Sequence, residues 1–360
     1  MMRAGSYAMT GGSRARAIPA VAICIPVRDE AAELPRLFDA LDLLERSEGQ
    51  AVHLCLLLDG CTDGSAALAE RYRARSALSV RIAGAATTAP NAGRARHRAM
   101  MLGVEALGNA AMDDGGGILL TTDADSRPSP DWLGAMTTAL AHADIVAGRV
   151  IRDTTRPAPL QDRIERYFDT LFVLRRIVDP VPWEAPRTHH QVSGANLGMR
   201  AATYVAIGGF PPLASGEDAR LVDDAARAGL RVRRDAASVV RTSDRRCGRA
   251  AGGLAETLRD LDRGGAAAVQ VAHPRDAMWQ YRLHALARTV FDSGDFAALG
   301  ERIGLDHDHI TGVARDCPDA EAFAMRLIPA PPGGMRHVAL PLAEAELAAL
   351  PDDHGKARAA

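Results

Sequence analysis

The chain has 360 residues, of which 47% are hydrophobic. That supports one large domain with an extension, or two modest domains, and excludes a wholly disordered chain. A formal net charge of -2 argues against a dedicated nucleic-acid binder. Five cysteines, Cys24, Cys55, Cys61, Cys247 and Cys317, form no Cys-X-X-Cys pair. Structural zinc and a disulfide framework are therefore not suggested, and a reducing, cytoplasmic setting is expected.

Residues 1–17 carry three arginines and no apolar stretch, and read as a disordered tail without a secretory signal. No run reaches the roughly 18 apolar residues of a transmembrane segment. Ala20 to Val27 is apolar and β-branched and predicts a first strand, ended by Arg28-Asp29-Glu30. Leu34, Leu37, Phe38, Leu41 and Leu44 fall at helical spacing. Val52 to Leu58 is almost continuously apolar, as in a strand covered on both faces. The turn Asp59-Gly-Cys-Thr-Asp-Gly-Ser65 follows, then a helix from Ala66 to Arg75. Val80 to Ala83 predicts a short strand, and Pro90-Asn91-Ala92-Gly93 opens a helix to about Leu107. Ile118-Leu-Leu-Thr-Thr reads as a buried strand running into Asp123 and Asp125. Pro130-Asp131-Trp132 starts another helix, proline suiting a first turn.

To this point strands and helices alternate, which predicts an α/β fold with a mostly parallel, three-layer sheet. Later elements are a strand over Ile145 to Ile151, a helix over Leu160 to Val178, and a strand from His190 to Arg200. Gly208-Gly209-Phe210 reads as a turn, Gly216-Glu217-Asp218 opens a helix, and Leu230 to Val240 is a strand. The expected division is a tail at 1–17, the α/β domain at 18–250, a helical extension at 251–352 and a frayed end at 353–360.

Several residues point to chemistry. Strand alternation sends residues i and i+2 to one side, so Asp123 and Asp125 are expected to leave the strand end together, where open α/β sheets bind ligands. Two carboxylates aimed at one spot repel unless a cation lies between them. A hard divalent ion that shares its shell with a substrate phosphate fits. A solvated acidic turn is the plainer alternative. Asp59, after a buried strand, offers acceptor oxygens that match a base N–H such as N3 of uracil. Asp63 suits turn and cap chemistry. Arg94, Arg96 and Arg98 open a helix, and arginine forks suit phosphate. Arg94, nearest the Gly93 turn, is the preferred contact; a solvated basic face is the alternative.

Taken in order, Ile-Pro-Val-Arg-Asp-Glu, Leu-Asp-Gly-Cys-Thr-Asp-Gly-Ser, Asn-Ala-Gly-Arg-Ala-Arg, Thr-Asp-Ala-Asp, Ser-Gly-Ala-Asn-Leu-Gly-Met-Arg, Gly-Gly-Phe and Gly-Glu-Asp form a pattern. It resembles the family 2 glycosyltransferases of the GT-A fold, over roughly Ala20 to Thr242. The resemblance implies inverting transfer of a sugar from a nucleotide-diphosphate donor, UDP favoured, to an acceptor hydroxyl, with Mn²⁺ or Mg²⁺. It implies that Pro26, Arg28, Glu30, Asp59, Arg94 and Asp123 meet the nucleotide. Asp125 would hold the metal directly, with Asp123 on the ribose or the metal shell. Asp218 would be the base and Glu217 would orient the acceptor, with Gly194, Ala195 and Asn196 on the acceptor side. A small molecule, a glycan or a lipid-linked compound would serve as acceptor.

The sequence departs from the family in two places. Leu58 stands where a first acid often precedes Asp59, which leaves the base identity open. The stretch Val239 to Arg249 lacks the histidine that many relatives carry as a metal ligand. Asp244 is the candidate substitute, and Arg245 and Arg249 are candidates for a basic lid over the diphosphate. Trp279 and Tyr281, beside Arg275 and Arg282, suit core packing first, and a peripheral membrane or acceptor contact second. Two rivals remain at this level. A sugar-nucleotide nucleotidyltransferase would need a basic Gly-rich loop after the first strand, where Pro26-Val-Arg-Asp-Glu is acidic. A non-catalytic module would bind a nucleotide sugar without transfer.

Overall fold

Alternation along the first strands sets the layers. In β1 (Val21–Val27), Val21, Ile23, Ile25 and Val27 enter one core, and Ala22 and Cys24 the other. The first core is closed by Leu34, Leu37, Phe38 and Leu41 of α1 (Leu34–Asp42). β2 (Val52–Asp59) repeats the alternation and leads into α2 (Ser65–Arg75), whose Tyr72 stacks on Phe38. β3 (Ser79–Ala85) is parallel to β2. The second core is covered by α3 (Ala92–Leu107). Small residues there let helix and sheet lie close: a Cβ on Gly103 would come 2.4 Å from Cys24 Sγ.

The structure is a computed structural model that describes residues 18–85, 91–108, 116–153, 157–245, 254–328, 330–331 and 333–350. The expected tails at 1–17 and 353–360 lie outside these residues, as do Cys247 and Arg249.

The remaining elements of the sheet region are β4 (Ile118–Thr121), β5 (Ser126–Pro128), α4 (Trp132–Ala139), β6 (Ile145–Arg152), α5 (Pro159–Val178), β7 (Leu197–Arg200), α6 (Ala201–Ala206), α7 (Glu217–Arg227) and β8 (Val232–Thr242). The sheet order is β3-β2-β1-β4-β7-β6-β8-β5. The β3-β2-β1-β4 run and the β6-β8 pair are parallel, and β7 and β5 pair antiparallel. The chain leaves β1 first toward β2 and later toward β4, so the order reverses at β1. That is where open sheets of this kind bind ligands, outside the carboxyl ends of the strands.

Two expectations need correction. The acidic strand stops at Thr121, and Asp123 to Asp125 form a turn closed by Ser126 N–H on Asp123 O at 3.1 Å. β5, absent from the sequence reading, then pairs with β8. Three residues of Ser-Arg-Pro carry too little periodicity to show as a strand. The acids therefore meet because of a tight turn and not because of strand alternation. Likewise His190 to Asn196 is not a strand. Gly194–Asn196 is one 3-10 turn leading into β7, with Asn196 N–H on Ser193 O at 2.9 Å.

The C-terminal region comprises α8 (Leu254–Arg263), β9 (Gln270–Ala272), α9 (Pro274–Phe291), α10 (Ala297–Ile303), α11 (His307–Arg315), α12 (Ala320–Leu327), β10 (His337–Ala339) and α13 (Leu340–Ala348). Leu283, Phe296, Leu299, Ile310 and Phe323 build a core within it, with Trp279 packed against that core. Val271, Ala277, Leu340 and Ala343 share a second core with Tyr167 and Leu171 of α5, and Tyr281 packs there. Both aromatics are thus used in packing. No helix among the described residues is long and apolar enough to cross a membrane.

His284 of α9 is buried and donates from Nε2 to Ile328 O at 2.8 Å. Burial pushes its pKa from the ordinary 6.5 down to about 4. The unfolded chain takes up a proton there before the folded chain does, so this contribution is full above about 6.5 and is lost as pH falls toward about 4. Thermal midpoints should drop across that window. His284→Gln, whose amide can still donate to Ile328 O, should drop less steeply.

Candidate active site

Arg96 lies on the buried stripe of α3, with Ala99, Met100 and Gly103 at the i+3, i+4 and i+7 positions. Its guanidinium is answered in four directions. Nε donates to Glu217 Oε1 at 3.2 Å, and Nη2 to Asp123 Oδ1 at 2.8 Å. Nη1 donates to Gly194 O at 2.9 Å and to Thr121 Oγ1 at 3.1 Å. The Phe210 ring lies 5.8 Å from its Cζ. Burial alone would lower the Arg96 pKa, but Asp123 and Glu217 outweigh it and raise it. Burial likewise raises Glu217, and Arg96 opposes that rise.

The start of α3 explains how this side chain is placed. Asn91 caps the helix by accepting from Arg94 N–H at 2.7 Å, while its Nδ2 donates to Pro212 O at 2.9 Å. Gly93 N–H donates to Leu213 O at 2.9 Å, and a Cβ on Gly93 would come 2.0 Å from Pro211 O. Asn91 and Gly93 therefore dock the Phe210–Leu213 segment against the helix. Arg94, the preferred phosphate contact from sequence, is exposed, and Arg96 is the arginine that joins the motifs. The buried helical stripe could have singled Arg96 out.

On one side of Arg96 the α7 N-terminus brings Glu217 and Asp218. Asp218 Oδ2 accepts from Gly194 N–H at 2.8 Å, and its Oδ1 from Ala219 N–H at 2.8 Å. Gly194 is thus held at its carbonyl by Arg96 and at its N–H by Asp218. A side chain there has no room, since a Cβ would lie 2.4 Å from Arg96 Cζ. Asn196, expected to face an acceptor, is fully enclosed. It accepts from Trp132 Nε1 at 2.8 Å and donates to Arg149 O at 2.9 Å and Ser238 O at 3.1 Å. Its amide is spent on packing, which corrects that expectation.

On the other side lie the acids at the strand ends. Asp59 Oδ2 accepts from Arg28 Nη1 at 3.0 Å. Glu30 takes the Arg245 fork on both carboxylate oxygens, and Arg245 Nη2 also lies 3.1 Å from Asp125 Oδ2. Burial, and then the charge of Asp123, push Asp125 up to about 7 despite Arg245. Asp29 has φ 52° and accepts from Thr62 N–H at 2.7 Å, which lowers its pKa. Asp63 accepts from Ala31 and Ser65 N–H, each at 2.9 Å, as its turn position suggests. Asp244 is buried beside Ser243, whose N–H donates to Asp125 O at 3.2 Å.

Residues 22–202 match the sequence profile of glycosyl transferase family 2. The chain belongs to glycosyl transferase family 2. Its mixed sheet with helices on both faces is the GT-A fold, and it is a glycosyltransferase. No curated protein matches it in sequence. Among solved structures, S. aureus TarS 1-349 in complex with UDP-GlcNAc is 15% identical, with a TM-score of 0.48, covering 86% of this chain and 90% of that one. The mannosyltransferase PcManGT from Pyrobaculum calidifontis, in complex with GDP-Man and Mn²⁺, is 18% identical, with a TM-score of 0.46 and coverage of 92% and 74%. Glucosyl-3-phosphoglycerate synthase from Mycobacterium tuberculosis is 15% identical, with a TM-score of 0.42 and coverage of 71% and 84%.

In this transferase Gly194→Ala should displace Arg96 and cost about 1–3 kcal/mol of stability, the usual toll of overpacking. Gly134→Ala, where an added Cβ meets nothing within 4 Å, should cost nothing. Denaturant unfolding of the two variants checks the contrast.

Proposed function

We propose that this transferase moves a sugar, with inversion, from a nucleotide-diphosphate donor to an acceptor hydroxyl, with a divalent cation at the donor. One observation carries the reading: donor-side Asp123 and acceptor-side Glu217 share the buried Arg96 guanidinium, and Asp218 hangs from the same Gly194 turn. Acids from separate loops thus meet at the sheet edge where the strand order reverses.

The residues fit Mn²⁺ or Mg²⁺. Asp125 is raised first by burial and then by Asp123, and a cation beside it would favour its charged form. Among the described residues no three His, Cys, Asp or Glu side chains form a ready ion cage. The protein's share would be Asp125 and Asp123, with phosphate oxygens and water completing the shell, the ordinary arrangement for a hard ion. Such an ion supplies charge stabilisation to the departing diphosphate.

The chain's own residues do the rest. Asp218 takes the proton of the acceptor hydroxyl as its oxygen attacks the anomeric carbon, and a positioned carboxylate contributes on the order of 10²–10⁴ in rate. It lies in the first turn of α7, with Oδ2 held by Gly194 N–H. Glu217, held by Arg96, keeps that turn in place. Asp59 and Arg28 face the nucleotide, and the Asp59 carboxylate suits the N3 donor of uracil, which favours UDP. Arg245 serves the diphosphate. Gly194 and Ala195 form the floor on the acceptor side.

Transfer assayed with UDP-sugars and Mn²⁺ should collapse in Asp125→Ala. Asp218→Asn should retain nucleotide affinity by calorimetry and lose transfer by about 10²-fold or more. Full turnover in Asp218→Asn would move the base elsewhere.

A further inference from the structure

Only 8% of the Arg96 side chain is exposed, and its guanidinium is engaged by protein partners. Whatever it contributes to the reaction passes through its neighbours. Those are Thr121 at the end of β4 and Asp123 just after it, Gly194 in the turn before β7, Glu217 in α7 and the Phe210 ring. Asp218 has Oδ2 fixed on Gly194 N–H, so its direction follows the position of the 193–196 turn. That turn is held by Arg96 through the carbonyl of the same residue. A planar guanidinium sets its donor directions together, which an ammonium does not.

We propose that Arg96 is a positioning residue for the transfer step. Through Gly194 and Glu217 it sets where Asp218 meets the acceptor hydroxyl, and through Asp123 it ties that placement to the donor side. The proposal rests on the reading of Asp218 as the base.

Arg96→Lys keeps the charge and loses the fork. At saturating donor and acceptor its kcat should fall by about 10²-fold, the scale set by a displaced catalytic group. Nucleotide affinity, measured separately by calorimetry, should change only a few-fold. Glu217→Gln, which keeps the shape and weakens one arm of the fork, should show a smaller loss of the same kind, in kcat and not in KM. It carries the test if Arg96→Lys does not fold. Wild-type kcat in a folded Arg96→Lys, or in Glu217→Gln where that variant stands in, overturns the proposal. So does a loss confined to donor affinity. Asp218→Asn separates the two readings. If it turns over normally, the base assignment has failed. If it is dead while Arg96→Lys is normal, only the positioning role has failed.

Discussion

A guanidinium removed from water must have its charge and its N–H groups answered on the spot, or it costs several kcal/mol. Arg96 meets that demand with two carboxylates, one carbonyl and one hydroxyl drawn from three distant parts of the chain. The requirement runs both ways. Glu217 is buried and needs a cation, and Asp123 stands beside a second acid that needs room. Removing the cation would leave the acids uncompensated, so the motif loops have one favourable mutual arrangement. Gly194 belongs to the same constraint, because any larger residue would occupy the space of the guanidinium.

Charge is balanced differently around Asp125. There Arg245 bridges Glu30 and Asp125, a partner drawn from beyond β8 to the acidic end of β1. The bridge offsets only part of the field, and Asp125 stays well above the usual carboxylate range. Around Arg96 the acids are held in fixed geometry, whereas Asp125 is kept raised first by its burial and then by Asp123.

Much of the fold could be read from residue pattern. Apolar runs marked β1, β2 and β4, helical stripes marked α1 and α3, and the ordered motifs gave the family. The misses have physical causes. β5 is too short to show a period. The Ser193–Asn196 segment has small residues that suit a strand, but its shape is set by Arg96 and Asp218, which lie far away in sequence. Arg94 drew attention because it sits by a glycine turn, yet the arginine that joins the loops is Arg96, two residues further along α3. Asn196 reads as a polar group offered to a ligand, and only the tertiary contacts of Trp132, Arg149 and Ser238 reveal that its amide is already used.

Helix α5 has a double allegiance. Its acids grip the end of β6, Asp162 and Glu165 on Arg152 and Asp169 on Arg149. Its apolar side shares a core with α9 and α13, and Arg163 pairs with Glu344 of α13. The C-terminal helices are therefore no detachable cassette. Arg149, which α5 holds through Asp169, anchors Asn196 through its carbonyl, two residues from Gly194.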